Sequence, residues 1–230
     1  MKARVLDIVR QERGNAALLM IGLLSIMMVL FIFVFNLTKI FAVKEEASTT
    51  AQQASLAATS VLYSQVNGVI EEYEKTPEGT IDKIPESIEK KIQKKEIELR
   101  SSSGYDDYSD NEIKLEAMDI VLSEELKRGV GKETLHDMLN EELYHTTLPD
   151  MVAQAQTTIV QNNGNLTGAE LVIDDGQVFI RASNTVKGTS YKGFFTDLKE
   201  DLFQTAGGPK VDFLTELNSF DVKIERSLDY

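Results

Sequence analysis

The chain has 230 residues, 42% hydrophobic and 27% charged, with a net charge of −13. That is globular composition, at a size for one domain with an appendage or two small domains. Zero cysteines exclude a disulfide framework, a thiolate zinc site and a cysteine nucleophile. The acidic balance argues against nucleic acid as a partner, since that needs a basic face. The charge is also unevenly divided. Residues 1–43 hold five Lys/Arg and two acids, whereas residues 44–230 hold 19 bases and 35 acids, a net of −16.

The first element is apolar throughout. Asn15 to Thr38 runs 24 residues without a charge, and 13 of the 20 residues from Ala16 to Phe35 are Leu, Ile, Phe or Val. As a helix it spans roughly 36 Å at ~1.5 Å per residue, enough for a hydrocarbon core of ~30 Å. Ala16, Leu19, Gly22, Leu24, Ser25, Phe31 and Phe35 are read as anchor residues. Ala17, Gly22 and Ser25 offer a small-residue face, without a GxxxG pair. A cleaved signal peptide has a shorter apolar stretch and a small-x-small site. Lys39 to Lys44 contains no Ala-x-Ala, so an uncleaved anchor is expected. Lys2, Arg4, Arg10 and Arg13 flank it on the short side, which places the N-terminus in the cytoplasm and the acidic remainder outside.

Beyond the span, small and apolar residues recur at 47, 51, 54, 58, 61 and 65 in 4-3-4-3-4 spacing, a heptad seam. The stripe Ala47, Ala51, Ala54, Ala58 and Val61 is read as a close helix contact. It packs either on the chain's own outer domain or on a partner, including copies of itself. No Gly or Pro occurs from Leu23 to Asn67, so one helix is expected to continue from the membrane to about Glu74.

These residues carry a resemblance. Arg13-Gly14-Asn15-Ala16-Ala17 leads into the apolar span, and Ala51-Gln52-Gln53-Ala54-Ser55-Leu56-Ala57-Ala58 follows it. The arrangement resembles the N-terminal segment of the TadE/TadG-like proteins of tight-adherence (Flp) pilus assembly, over about residues 10–62. The resemblance implies a bitopic envelope protein of a pilus or secretion apparatus. Its partners would be membrane lipid and other envelope or pilus-assembly proteins. Members cut after the Gly by a prepilin peptidase usually carry Glu at the fifth residue beyond the cut. Here that residue is Leu19.

Residues 75–110 read as a charged connector, with Ile81, Ile84, Ile88 and Ile92 at helical spacing and Pro85 in a first turn. Ser101-Ser102-Ser103-Gly104 marks a loop. The acids of residues 105–112 fail the EF-hand spacing and lead into a helix cap, with calcium as the alternative use. Helices are then expected over about 112–128 and 132–145, and a third capped by Asp150 and ended by Asn163-Gly164. The period changes to β at 169–173 and 178–186, joined by the turn Asp174-Asp175-Gly176-Gln177. Phe194, Phe195, Leu198, Leu202 and Phe203 suggest an amphipathic helix ended by Gly207-Gly208-Pro209. Phe220, Val222 and Ile224 alternate as a last strand.

The expected fold is α+β: a transmembrane helix continuing into a long membrane-proximal helix, then helices packed on a small antiparallel sheet. Its divisions are a tail (1–14), the span (15–38), the Ala-rich helix (39–74), the connector (75–110) and an exported domain (111–230). Catalytic motifs are absent. His136 and His145 stand nine residues apart on a predicted helix and do not form an i,i+4 metal pair. No phosphate loop or Gly-x-Ser-x-Gly elbow occurs. No catalytic residue, cofactor or small-molecule substrate is expected. The alternative function is a membrane-tethered hydrolase or calcium-dependent binding module.

With Leu19 in place of the processing-associated Glu, the chain is expected to keep its N-terminus. Intact-mass measurement of the membrane form checks this; a mature protein beginning at Asn15 contradicts it.

Overall fold

The computed structural model describes residues 12–82, 86–128, 131–187 and 199–229. The chain divides into two compact units, Met1–Glu45 with Thr185–Leu202, and Glu46–Asn184 with Phe203–Tyr230. The fold is α+β, with a four-stranded antiparallel sheet.

Helix α1, Glu12–Tyr73, is 62 residues long. It has no interior proline and its glycines, Gly14, Gly22 and Gly68, are isolated, so nothing breaks the backbone ladder. Its end is tight. Thr76 Oγ1 donates to the Tyr73 carbonyl at 2.7 Å and accepts the Gly79 N–H at 3.0 Å, starting α2, Pro77–Asp82.

Residues 75–110 contain more structure than a connector needs. After α2 comes α3, Ile88–Arg100, with Ser87 Oγ accepting the Lys90 N–H at its start. Ile88, Ile92 and Leu99 are buried, while Ile81 is exposed and Ile84 and Pro85 lie outside the described residues. The isoleucine run is therefore divided between two helices, and its second half packs on α4, Asp110–Arg128. The start of α4 is a capping box: Ser109 Oγ accepts the Glu112 N–H, and the Glu112 carboxylate accepts the Ser109 N–H at 2.8 Å.

Helix α5, Lys132–Glu142, does not stop before the next helix. A π-helical turn, Leu143–Thr147, joins it to α6, Leu148–Gln161. Pro149 near the start of α6 has no N–H to give a regular ladder. The wider turn closes instead through the Leu148 N–H to the Leu143 carbonyl. Asp150 is thus corrected from cap to first-turn acid, where its charge suits the helix dipole. Asn163 ends α6 at φ 56°.

The sheet order is β3-β2-β1-β4, from β1 (Asn165–Asp174), β2 (Gln177–Lys187), β3 (Lys199–Lys210) and β4 (Ile224–Ser227). β1 pairs with β2 through Leu171↔Ile180 and Asp174↔Gln177. Asp175 at φ 47° and Gly176 at φ 70° make the two-residue turn, the positive-φ geometry that matches strand twist. Gly176 is needed twice over: a Cβ there would lie 2.6 Å from the Val211 carbonyl.

Two sequence expectations are overturned in the C-terminal third. Leu202 and Phe203 lie in β3, and Gly207-Gly208-Pro209 falls inside the strand; Phe194, Phe195 and Leu198 lie outside the described residues. The Arg181 guanidinium of β2 stands 4.1 Å from the Phe203 ring centre, so a cross-strand neighbour determines what a short apolar run cannot. An edge strand also tolerates Pro209. The last strand starts later than the alternation implied. Phe220 ends a 3-10 turn, Asn218–Phe220, Val222 is exposed, and β4 begins at Ile224.

The core of the second unit joins α1 to everything else: Ala51, Ala54, Ala58, Leu62, Val66 and Tyr73 are buried with residues of α3–α6, the sheet and the C-terminal turns. Ala54 has no exposed surface. Ala54→Leu in the full-length protein should lower stability by about 1–3 kcal/mol, because the added volume must force packed elements apart. The exposed Leu56→Ala should stay within about 0.5 kcal/mol. Equal melting of the two variants would show that the Ala54 site has slack.

Candidate functional site

The apolar run from Ala16 to Phe35 presents a largely exposed surface. Ala16, Leu19, Gly22, Leu24, Ser25, Phe31 and Phe35 are all exposed, Leu19 by 72%. The polar side chains in the run are satisfied within the helix: Ser25 Oγ donates to the Ile21 carbonyl at 2.8 Å and Thr38 Oγ1 to the Val34 carbonyl at 3.0 Å. Such back-bonding lets a hydroxyl sit in hydrocarbon without an orphaned donor. The ammonium of Lys39 lies 5.1 Å from the Phe35 ring centre, ending the charge-free stretch on an aromatic face. Among the described residues, one helix, from Ala16 on, is long and apolar enough to cross a membrane.

The small-residue stripe has the opposite surroundings. Ala47, Ala51, Ala54 and Ala58 are fully buried, and Val61 is half-buried. Ser55, also fully buried, donates its hydroxyl to the Val178 carbonyl of β2 at 2.6 Å. A Cβ placed on Gly208 of β3 would come within 2.9 Å of both Ser55 Oγ and Thr59 Oγ1. The helix therefore rides directly on the sheet backbone. Small residues on one side and glycine on the other set that distance.

Three polar side chains, Asp119, His136 and Asn140, serve attachment of the C-terminal segment. Asp119 of α4 is buried and accepts the N–H groups of Asp212 and Phe213, each at 2.9 Å, at the start of the 3-10 helix Asp212–Glu216. His136 Nε2 lies 2.9 Å from the Glu216 carbonyl, and its Nδ1 2.8 Å from Asn140 Nδ2. This fixes the tautomer with the proton on Nε2, because Nδ1 faces an amide donor. Asn140 Oδ1 in turn accepts the Ser219 N–H at 3.0 Å. His145 packs edge-on against Tyr144 within the π turn. The two histidines are apart in role as well as in sequence.

Two of the acids of residues 105–112, Asp110 and Glu112, are drawn into local structure. Asp110 pairs with Arg100, Glu112 closes the capping box, and the Tyr105 hydroxyl reaches Glu116 at 3.4 Å. The backbone N–H of Ser109 holds the Glu112 carboxyl below its ordinary range. Among the described residues, no three His, Asp or Glu side chains come together in a way that could hold a metal ion.

Burial pushes the Asp119 carboxyl up to about 6. The Phe213 and Asp212 N–H groups oppose that rise, and the charges of Asp212 and Glu116 add to it. Neighbouring Tyr63 is also raised, by burial first and then by the charge of Asp119. An acid whose folded pKa exceeds its unfolded value binds its proton more tightly when folded. Its contribution to stability is therefore present at low pH and is lost as pH rises between about 4 and 6. Asp119→Asn cannot ionise. Relative to this variant, the wild type should lose on the order of 3 kcal/mol over that window, read from denaturant melts at pH 4 to 7. A constant offset is expected from the lost second acceptor, but parallel profiles would contradict the burial argument.

The sequence reading missed Asp119 and the His136–Asn140 pair. Both had a signal. Asp119 sits at a core position among Leu115, Met118, Leu122 and Leu126, and His136 and Asn140 share a face at i,i+4.

No curated protein and no solved structure matches the chain. The N-terminal segment, residues 14–61, matches the family model of the Flp pilus-assembly TadE/G-like proteins, Tad, covering the apolar run and the stripe that docks on the sheet.

Proposed function

We propose that this protein is a single-pass membrane component of a Tad (Flp-type) pilus or secretion apparatus, working through protein–protein contacts. The observation that carries the reading is the coincidence of the TadE/G-like match at residues 14–61 with a membrane-length apolar helix over the same stretch. The match supports a Tad-related role and partners among envelope or pilus-assembly proteins. The exposed apolar surface from Leu18 to Phe35 supports membrane anchoring.

Orientation follows from charge. The N-terminal flank is basic and the residues from 44 onward carry a net of −16. Positive flanks are retained on the cytoplasmic side, which leaves the acidic domain outside the membrane. Its surface is then available to envelope partners, and its work is contact without chemistry.

External protease on intact spheroplasts should digest the C-terminal domain while a cytoplasmic control survives. Survival of both would reverse the orientation. Recovery of the full-length chain in the soluble fraction would remove the anchor itself.

A further inference from the structure

The α1, α3 and α4 helices enclose a groove of about 370 Å³. Its floor is Ile70, Ile92 and Met118, and its walls carry four glutamates, Glu71, Glu74, Glu89 and Glu96, against one cation, Lys114, with Asn67 on the α1 side. An apolar floor between carboxylates suits a segment that offers a hydrophobic side chain flanked by cations.

The same helix α3 carries such a segment on another face. Lys90, Lys94 and Ile97 follow at i, i+4 and i+7, so they form one ridge. Glu89, Gln93 and Glu96 point to the groove instead. Ile97 is 69% exposed, so its side chain is available to a partner. Lys94 pairs with Glu86 at 2.7 Å, but its side chain is 70% exposed. A pair in that setting is weak enough to exchange for another. The local charge is also exceptional. Residues 44–230 carry a net of −16, so two copies repel across most approaches. Lys90, Lys91, Lys94 and Lys95 form the densest basic run in the chain.

We infer that the groove receives the Lys90–Lys94–Ile97 ridge of a second copy, with Ile97 over the apolar floor and the lysines between the glutamates. This inference rests on the assembly reading above and names a contact for it. Ridge and groove are different patches, so the contact is heterologous. Repeated, it gives a ring or an open filament instead of a closed symmetric dimer.

The chain has no cysteine, which makes single-cysteine crosslinking clean. Full-length Ile97→Cys and Asn67→Cys proteins, mixed in detergent or co-expressed in membranes, should form a disulfide-linked dimer. Neither alone should do so. An Ile97→Cys, Asn67→Cys double variant should give a ladder of higher species. Adding Lys90→Glu and Lys94→Glu to the Ile97→Cys partner should cut the mixed-dimer yield at least tenfold, and its melting temperature should match that of Ile97→Cys alone. High salt should reduce the yield in the unreversed pair.

Three results overturn the inference: no mixed dimer, a yield indifferent to charge reversal, or equal crosslinking by Ile97→Cys alone, which would mean a symmetric ridge-to-ridge contact. If the protease experiment still finds the domain outside and the chain in the membrane, the anchored-component reading stands and only this contact falls. Loss of both would remove the anchored-component reading as well.

Discussion

The close approach of α1 to the sheet is the constraint on which the second unit depends. A helix normally keeps its distance from a sheet because large side chains fill the space between. Here Ala51, Ala54, Ser55, Ala58 and Thr59 present little volume, and Gly208 answers them from β3. The Ser55 hydroxyl then reaches the Val178 carbonyl at 2.6 Å, so a buried polar group is paired by the same approach that buries it. Alanine releases little transfer free energy per residue. What holds the contact is the density it permits, since interiors packed without voids keep dispersion contacts on every side. Below this stripe, toward Tyr73, the same helix changes strategy and buries Leu62, Val66, Val69 and Ile70 against α3 to α6 and the C-terminal turns.

That arrangement leaves the C-terminal segment to be fastened by polar means. From Val211 to Phe220 the chain makes two short 3-10 turns that cannot satisfy their own N–H groups. Asp119 takes two of them and Asn140 a third, while Phe213, Leu214 and Leu217 fill the core beneath. The Phe213 ring meets Tyr63 of α1 edge-on at 6.2 Å. A buried carboxylate is a costly way to make this attachment. Its two charge-assisted bonds offset part of the penalty, yet the raised pKa shows that desolvation wins.

How much of this was legible follows from the range over which each signal acts. The long helix was readable because its determinants are local and redundant: 24 uncharged residues, then a seam without Gly or Pro. The β1–β2 hairpin was readable because Asp175-Gly176 supplies the two positive-φ positions in sequence order. The strand at 199–210 was not, because a few apolar residues fit either period. The deciding partners, Arg181 against Phe203 and Ser55 against Gly208, are far away in sequence. The π turn at Leu143–Thr147 was hidden for a similar reason. Pro149 announces an interruption of the ladder but not whether the chain will stop or widen. Asp119 was visible in principle as an acid in an apolar stripe, but nothing local says which N–H groups it will find.

One helix here carries two kinds of surface, and its composition changes between them. From Ala16 to Phe35 its side chains are mostly large and apolar and nearly all exposed, a surface suited to fluid hydrocarbon, where no particular neighbour exists to fit. From Ala47 to Thr59 one face becomes small and closely fitted while Gln52, Gln53 and Leu56 on the other remain exposed. The first pattern rewards total apolar area and tolerates substitution among Leu, Ile, Phe and Val. The second rewards shape, so that one methyl group matters more than net hydrophobicity. A Leu at position 24 and a Leu at position 54 would therefore have opposite consequences, although both lie on the same unbroken helix. The family match spans both patterns, residues 14–61. The segment it recognises thus holds more than an apolar run: its C-terminal part is the spine of the folded unit.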